Sequence, residues 1–316
     1  MGIKEDFTAA STFPVKLLHN KVYEKGKFIP KHIQIVPTNA CNLNCSFCCC
    51  SDVDRKKSLT FEQIVEIINI GWERGTKAIT ITGGGEPLLY PHINKVIIYA
   101  ELKGIEVGMV NNGTQLDNLG PHKNLTWIRI SCSDEREHDF DKIKRAIKLN
   151  PKTDWSFSYV VTREPNYENM IKLIKFANEN KFTHMRLTTD LADVDAVETM
   201  EFIKAKLKGK VDDSLVVYQE RKETAFRGAK KCYMSLMKPY ICPEGIFPCC
   251  GVQYALKNDF KKDMPNNMES CDINDFANFL DNQVPFDGSV CDICYYKQYN
   301  EMLDKIKTKP SHLEFV

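Results

Sequence analysis

Cysteines carry most of the chemistry this chain advertises, because they are numerous and grouped: thirteen among 316 residues. Cys41-Asn-Leu-Asn-Cys45-Ser-Phe-Cys48 offers three thiols from one short segment, with three and then two residues between them. A loop of that spacing can wrap a four-iron cluster and supply three ligands, leaving one iron open to a substrate or cofactor. It also suits a zinc loop whose fourth ligand lies elsewhere, with Cys49 and Cys50 as candidates. Gly84-Gly85-Glu86-Pro87 is a second feature with chemical content. Glycines let backbone approach a ligand closely, and a carboxylate beside free carbonyls suits an ammonium group; a plain tight turn would use the same residues. A later group comprises Cys232, Cys242, Cys249, Cys250, Cys271, Cys291 and Cys294. Four thiolates from it could close a second cluster, favouring electron transfer, or build a structural zinc knuckle.

The elements that must hold these loops follow from periodicity. His32–Pro37 is a short apolar run ending just before the first cysteines. Thr60 and Gln63 match a helix-opening capping box. Phe61, Ile64, Val65, Ile68 and Trp72 then recur at helical spacing, and Gly75 can close the helix. Ala78–Thr82 reads as the next strand, directly before the glycine loop. Alternation continues with a helix over 93–103, strands over 105–110 and 125–131, a helix marked by Phe140, Ile143 and Ile147, and a strand over 155–161. A helix marked by Met170, Leu173, Ile174 and Ala177 and a strand over 185–188 complete it. Strands alternating with helices predict parallel βαβ units. About six of them imply an α/β fold of the partial (β/α)6 TIM-like barrel type, whose site lies at the C-terminal ends of the strands. The expected divisions are an N-terminal extension (1–31), the barrel (32–205) and a small cysteine-rich C-terminal module (206–316). That last part is broken by prolines such as Pro239, Pro243, Pro248 and Pro285.

Composition narrows the function class. Hydrophobic content of 43% and charged content of 27% describe a chain able to build an ordinary core. A net charge of +1 gives no electrostatic case for nucleic acid or an acidic partner. The polar N-terminus lacks a signal-peptide pattern, and no run reaches the roughly 18 apolar residues of a membrane span. A cytoplasmic location is the expectation, and in that reducing compartment grouped cysteines read as metal or redox chemistry.

Cys41, Cys45 and Cys48, with Phe47 before the last, resemble the CxxxCxΦC signature of the radical S-adenosylmethionine superfamily. The loop lies after the first barrel strand, as it does there, and Gly84-Gly85-Glu86 after the second strand resembles that superfamily's GGE-type loop. The resemblance implies a [4Fe-4S] cluster on the three cysteines and S-adenosylmethionine held by Phe47, Gly84, Gly85 and Glu86. Ser131, in Ile130-Ser131-Cys132-Ser133, resembles a ribose-binding serine at the end of the fourth strand, although Ser133 stands where the usual acidic residue would be. In the C-terminal module, Cys232, Gly245 and Cys250 resemble the cysteine–glycine–cysteine pattern of appended SPASM-like domains. With the pair Cys291 and Cys294 they match the shortened twitch version, known in a cyclitol dehydrogenase. That likeness implies one auxiliary [4Fe-4S] cluster on Cys232, Cys250, Cys291 and Cys294, with Cys249 able to replace Cys250.

The implied activity is reductive cleavage of S-adenosylmethionine to a 5′-deoxyadenosyl radical, which takes a hydrogen atom from substrate. Two outcomes then compete: oxidation, with the auxiliary cluster accepting an electron, or epimerisation, with Cys249 returning hydrogen from the other face. Cys132, near a strand end, is a rival donor. The expected substrate is a small polyol, sugar or aminocyclitol, the alternative being a ribosomally made peptide. A one-electron donor such as flavodoxin or ferredoxin is the implied protein partner. A non-enzymatic zinc or iron–sulfur protein is the competing class.

Overall fold

The structure, a computed structural model, describes residues 9–162, 164–190, 193, 195–219, 227–251, 268–291, 294 and 296–308. Residues 1–8 of the extension, and much of 220–267, lie outside the described residues. Helix α1 (Ala9–His19) and the hairpin β1 (Tyr23–Glu24) and β2 (Lys27–Phe28) come first. Then follow β3 (His32–Ile35), α2 (Phe61–Glu73), β4 (Ala78–Ile81), α3 (Ile93–Leu102), β5 (Glu106–Asn111) and β6 (Leu125–Ser133). The chain continues through α4 (Phe140–Leu149), β7 (Asp154–Val161), α5 (Tyr167–Glu179), β8 (His184–Thr189), α6 (Ala196–Leu207) and β9 (Val216–Gln219). Last come α7 (Met234–Met237), β10 (Tyr240–Cys242), β11 (Gly245–Phe247), α8 (Phe276–Asn282) and α9 (Lys297–Ile306).

Strands β3 to β8 pair in parallel in chain order, giving the expected partial barrel. The sheet does not stop there. Among the described residues it is nine-stranded: β9 adds in parallel beyond β8, and β10, carrying β11 antiparallel to it, adds beyond β3. Part of the cysteine-rich region thus belongs to the same sheet as the barrel.

Local chemistry sets the elements as the pattern predicts. Thr60 Oγ1 accepts the Gln63 N–H at 3.1 Å while Gln63 Oε1 accepts the Thr60 N–H at 2.9 Å, so the capping box is complete. Gly75 follows α2 at φ 93°, the left-handed position that ends a helix at least cost.

The two faces of the sheet differ in character. Ile33, Ile79, Met109, Ile128, Phe157 and Leu187 point outward and, with the helices, form the main core. Their strand neighbours point the other way, and many of these are polar, Gln34, Thr80, Arg129, Ser158 and Arg186 among them, beside Gly108, Val110 and Trp127. A second core joins the two ends of the chain, for Val22 and Phe28 pack with Cys232, Tyr233 and Leu303. A third joins Val36, at the end of β3, to Tyr240, Cys242, Phe247 and Met268, with Cys250 and Cys291 packed against it.

Candidate functional site

The first cysteine loop leaves β3 and is held on three sides. Arg55 Nη1 donates to Cys41 O (3.3 Å) and Leu43 O (3.0 Å), and its Nη2 to Asn44 Oδ1 (3.1 Å). Asn42 bonds Thr114 Oγ1 (2.9 Å) and accepts from Asn112 Nδ2 (3.1 Å), tying the loop to the turn after β5. The glycine loop completes the frame, since Gly85 N–H donates to Thr38 O (3.1 Å) and Glu86 N–H to Ala40 O (2.8 Å). That approach explains the glycines: a Cβ at Gly84 or Gly85 would strike Asn39 or Ala40.

Cys41, Cys45 and Cys48 come together at this loop, all partly exposed. Burial, then the neighbouring thiols Cys49, Cys45 and Cys41, raise the pKa of Cys48 above the ordinary thiol value. A multi-iron cluster relieves that crowding, because its positive irons accept several thiolates at once. Among the described residues no three His, Cys, Asp or Glu side chains meet closely enough to share a single ion. None of the described cysteines forms a disulfide.

Glu86 is only 1% exposed. Its Oε1 accepts the Leu88 N–H at 3.0 Å and its Oε2 the Asn112 N–H at 2.6 Å. Burial raises its pKa to about 7, against the pull of those two N–H groups and of Arg136. Its carboxylate thus joins the loops after β4 and β5 while standing at the rim of the cysteine loop.

Arg136 is the residue that motif reasoning missed. Its Nε and Nη2 donate to Cys45 Sγ at 3.3 and 3.0 Å, and its Nη1 to Ser131 O and Oγ at 2.8 and 2.9 Å. Its guanidinium also lies 5.2 Å from the Phe47 ring centre. One side chain therefore connects Cys45, Phe47 and Ser131. The signal was an arginine just past a strand end, legible only once β6 is placed near the cysteine loop. The acidic residue missing at position 133 has a neighbour in Asp134, but that carboxylate is committed elsewhere. It accepts from Tyr159 Oη (2.6 Å), Thr162 N (2.6 Å), Thr162 Oγ1 (3.0 Å) and Asn166 N (2.7 Å). Cys132, the rival hydrogen donor, faces away from the site: it is fully buried in the core between sheet and helices.

The later cysteines also assemble. Burial, then Cys250, Cys232 and Cys291, push the Cys249 thiol well above its ordinary range. Burial and the nearby Cys294 raise Cys232 to about 11. Gly251 N–H donates to Cys249 Sγ at 3.3 Å, whereas Cys250 Sγ lies 3.8 Å from Tyr296 Oη. Cys242 belongs to the third core, against which Cys250 and Cys291 pack, and Cys271 is bridged to Ile246. The module leans on the first loop, for Asn39 Nδ2, just before Cys41, donates to Glu244 Oε1 at 2.6 Å.

These features define a barrel with a three-cysteine loop and a facing glycine loop, and comparison with known proteins gives the family. The family model described as the Radical SAM superfamily matches residues 35–203, and this chain belongs to that superfamily. The family brings with it a [4Fe-4S] cluster and S-adenosylmethionine, which the cysteine and glycine loops fit. Among curated relatives, the GTP 3′,8-cyclase of Helicobacter pylori is 22% identical over 197 residues, 55% of this chain and 60% of that protein. An S-adenosylmethionine-dependent nucleotide dehydratase of Lacinutrix mariniflava is 28% identical over 166 residues, 49% of this chain and 34% of that protein. The matches thus span less than two thirds of either relative. Among solved structures, Streptococcus suis SuiB bound to precursor peptide SuiA is similar with a TM-score of 0.58 and 16% identity, over 93% of this chain and 76% of that one. At that identity the likeness concerns the fold. No helix among the described residues is long and apolar enough to cross a membrane.

Proposed function

We propose that this radical S-adenosylmethionine enzyme oxidises a small polyol, sugar or aminocyclitol, using a second cluster in its C-terminal region as electron acceptor. The cluster on Cys41, Cys45 and Cys48 and its bound S-adenosylmethionine supply the hydrogen-abstracting 5′-deoxyadenosyl radical. The chain's own residues do the holding. Arg136 fixes Cys45 against Ser131, Glu86 clamps two site loops together, and the polar inner face receives the substrate. Cys232, Cys291, Cys294 and one of Cys249 and Cys250 are the proposed auxiliary ligands.

The observation that carries the oxidative reading is a shared core. Cys250 and Cys291 pack on the same small hydrophobic cluster as Val36, close before Cys41 in the chain. Cofactors held on one rigid unit keep a fixed separation, which electron transfer needs. Cys249 sits among these cysteines, which suits a ligand better than a donor to substrate. The names of the two curated relatives, which specify GTP and a nucleotide, favour a sugar-containing substrate over a peptide.

Anaerobic reconstitution tests this. The expected result is about eight irons per chain, as two four-iron clusters, and 5′-deoxyadenosine on adding S-adenosylmethionine and a one-electron donor such as reduced flavodoxin. Bound zinc without cleavage would sink the enzyme reading. With a turned-over sugar in D2O, oxidation gives a product two mass units lighter; an epimer of the substrate carrying one deuterium would instead establish epimerisation through a thiol donor.

A further inference from the structure

Parallel barrel strands packed on both sides are ordinarily apolar on both faces, so a charged inner face calls for a ligand. Arg129 on β6 and Arg186 on β8 both face inward, separated by the single strand β7. Their rows are adjacent: Arg129 aligns with Ser156 and His184, and Ser131 with Ser158 and Arg186. Arg186 donates through Nε and Nη2 to Ser158 Oγ at 3.1 and 2.7 Å, which turns its guanidinium across β7. The Arg129 guanidinium lies 5.4 Å from the Trp127 ring centre, and its buried Nε finds no hydrogen-bond partner among the described residues.

The electrostatics agree with the geometry. Burial and then Arg186 pull Arg129 down to about 9, a large drop for a guanidinium. Burial, followed by Arg129 and Arg186, drives His184 down to about 3. Arg129 and His184 are thus less willing to carry charge, first because they are buried and then because a guanidinium is near. A buried donor without a partner and a cation repelled by a cation are both costly, and an incoming oxyanion relieves both. The planar fork of arginine matches phosphoryl and carboxylate oxygens.

We propose that Arg129 and Arg186 form an oxyanion-binding site on the inner face of the barrel, which anchors a phosphate or carboxylate group of the substrate. It rests on the reading that this face receives substrate, and it narrows the substrate class to anionic molecules. A doubly charged phosphoryl group answers two guanidinium ions better than one carboxylate does. The carboxylate of S-adenosylmethionine is another source of the same chemistry, so the test must separate the two.

Inorganic diphosphate and malonate serve as probes on the reconstituted holoenzyme, saturated with S-adenosylmethionine and read by calorimetry and thermal melting without turnover. Diphosphate is expected to bind and to raise the melting temperature, with malonate weaker; tighter malonate binding would assign the site to a carboxylate. Arg129→Met should weaken diphosphate at least tenfold and, without anion, raise the melting temperature by removing a desolvated cation. Arg129→Lys keeps the charge, loses the fork and should weaken diphosphate severalfold, giving a second variant if Arg129→Met does not fold. Absence of binding by both probes, or binding by both variants as tight as by the wild type, overturns the proposal. So does a tenfold loss of S-adenosylmethionine affinity with diphosphate unaffected, which would hand the pair to the cofactor. Failure to form 5′-deoxyadenosine would refute the enzyme reading instead, and leaves the binding measurement intact.

Discussion

Arg136 puts two N–H donors on the sulfur of Cys45, and hydrogen bonds to ligand sulfurs help set a cluster's reduction potential. Donors stabilise the more negative, reduced cluster, so removing them should make reduction harder. Arg136→Met is therefore expected to shift the potential of the N-terminal cluster to a more negative value, followed by redox titration with electron paramagnetic resonance. An unchanged potential would show that the contact to Cys45 plays no electronic part. Cys249 and Cys250 allow a second test at this scale. The family pattern points to Cys250, whereas the Gly251 N–H and the neighbouring Cys232 and Cys291 gather around Cys249. We expect Cys249→Ala to retain about four irons and Cys250→Ala about eight, one cluster having been lost in the first; the reverse counts would restore Cys250. The cysteines of the first loop were legible from spacing, because one loop fixes their separation. Arg136 and the second clasp of Glu86 were not, since both depend on which strand end lies beside which loop.

Elements carry the site through the connections between strands. Asp134 is the clearest example: it follows β6 directly and receives donors from the end of β7, from Thr162 and from Asn166, the cap of α5. Asp134→Ala would leave the Tyr159 hydroxyl and two backbone N–H groups unanswered, at a cost of about 3 kcal/mol. Denaturant unfolding measures this, and a loss below about 1 kcal/mol would mean that water replaces the carboxylate. Thr60→Ala, which removes half of a capping box, should cost about 1 kcal/mol in the same experiment. Most of these elements could be read from periodicity, and the Thr60 cap and Gly75 stop appear as expected. The polar inner face was readable too. Ile128-Arg-Ile-Ser131 and Trp155-Ser-Phe-Ser158 alternate strictly, which a parallel strand buried on both sides does not do. Only the pairing of β6, β7 and β8 shows that the polar positions share one surface.

The whole molecule is closed by segments far apart in sequence. The β1–β2 hairpin and α1 cover the segment around Cys232, while β10 enters the sheet beside β3. Strands of two to four residues give too little periodicity to be recognised alone, and their partners lie about two hundred residues away, so this closure could not be read from the chain. The folded molecule also buries several titratable groups, and these set opposing trends with pH. His184 has a folded value of about 3 and His138 of about 4, both lowered mainly by burial, against an ordinary 6.5. The unfolded chain takes up protons that the fold refuses, so their contribution to stability is full above pH 6.5 and falls as pH drops towards 4. Glu86 works in the other direction. Its folded value of about 7 lies above the ordinary 4.5, so the fold holds a proton the unfolded chain gives up, and stability is lost as pH rises from 4.5 to 7. Differences between variants separate the two. Relative to His184→Gln, the wild type should lose stability on acidification from pH 7 to 5, by on the order of 2 kcal/mol since a unit of pKa is worth about 1.4. Relative to Glu86→Gln, it should lose stability as pH rises over the same interval. Melting temperatures across pH 5–7 in a non-binding buffer check both slopes. Repeating the His184 comparison in phosphate adds a link to the anion site: an oxyanion held by Arg129 and Arg186 favours protonated His184, so the acid-induced loss should shrink in phosphate and remain in its absence.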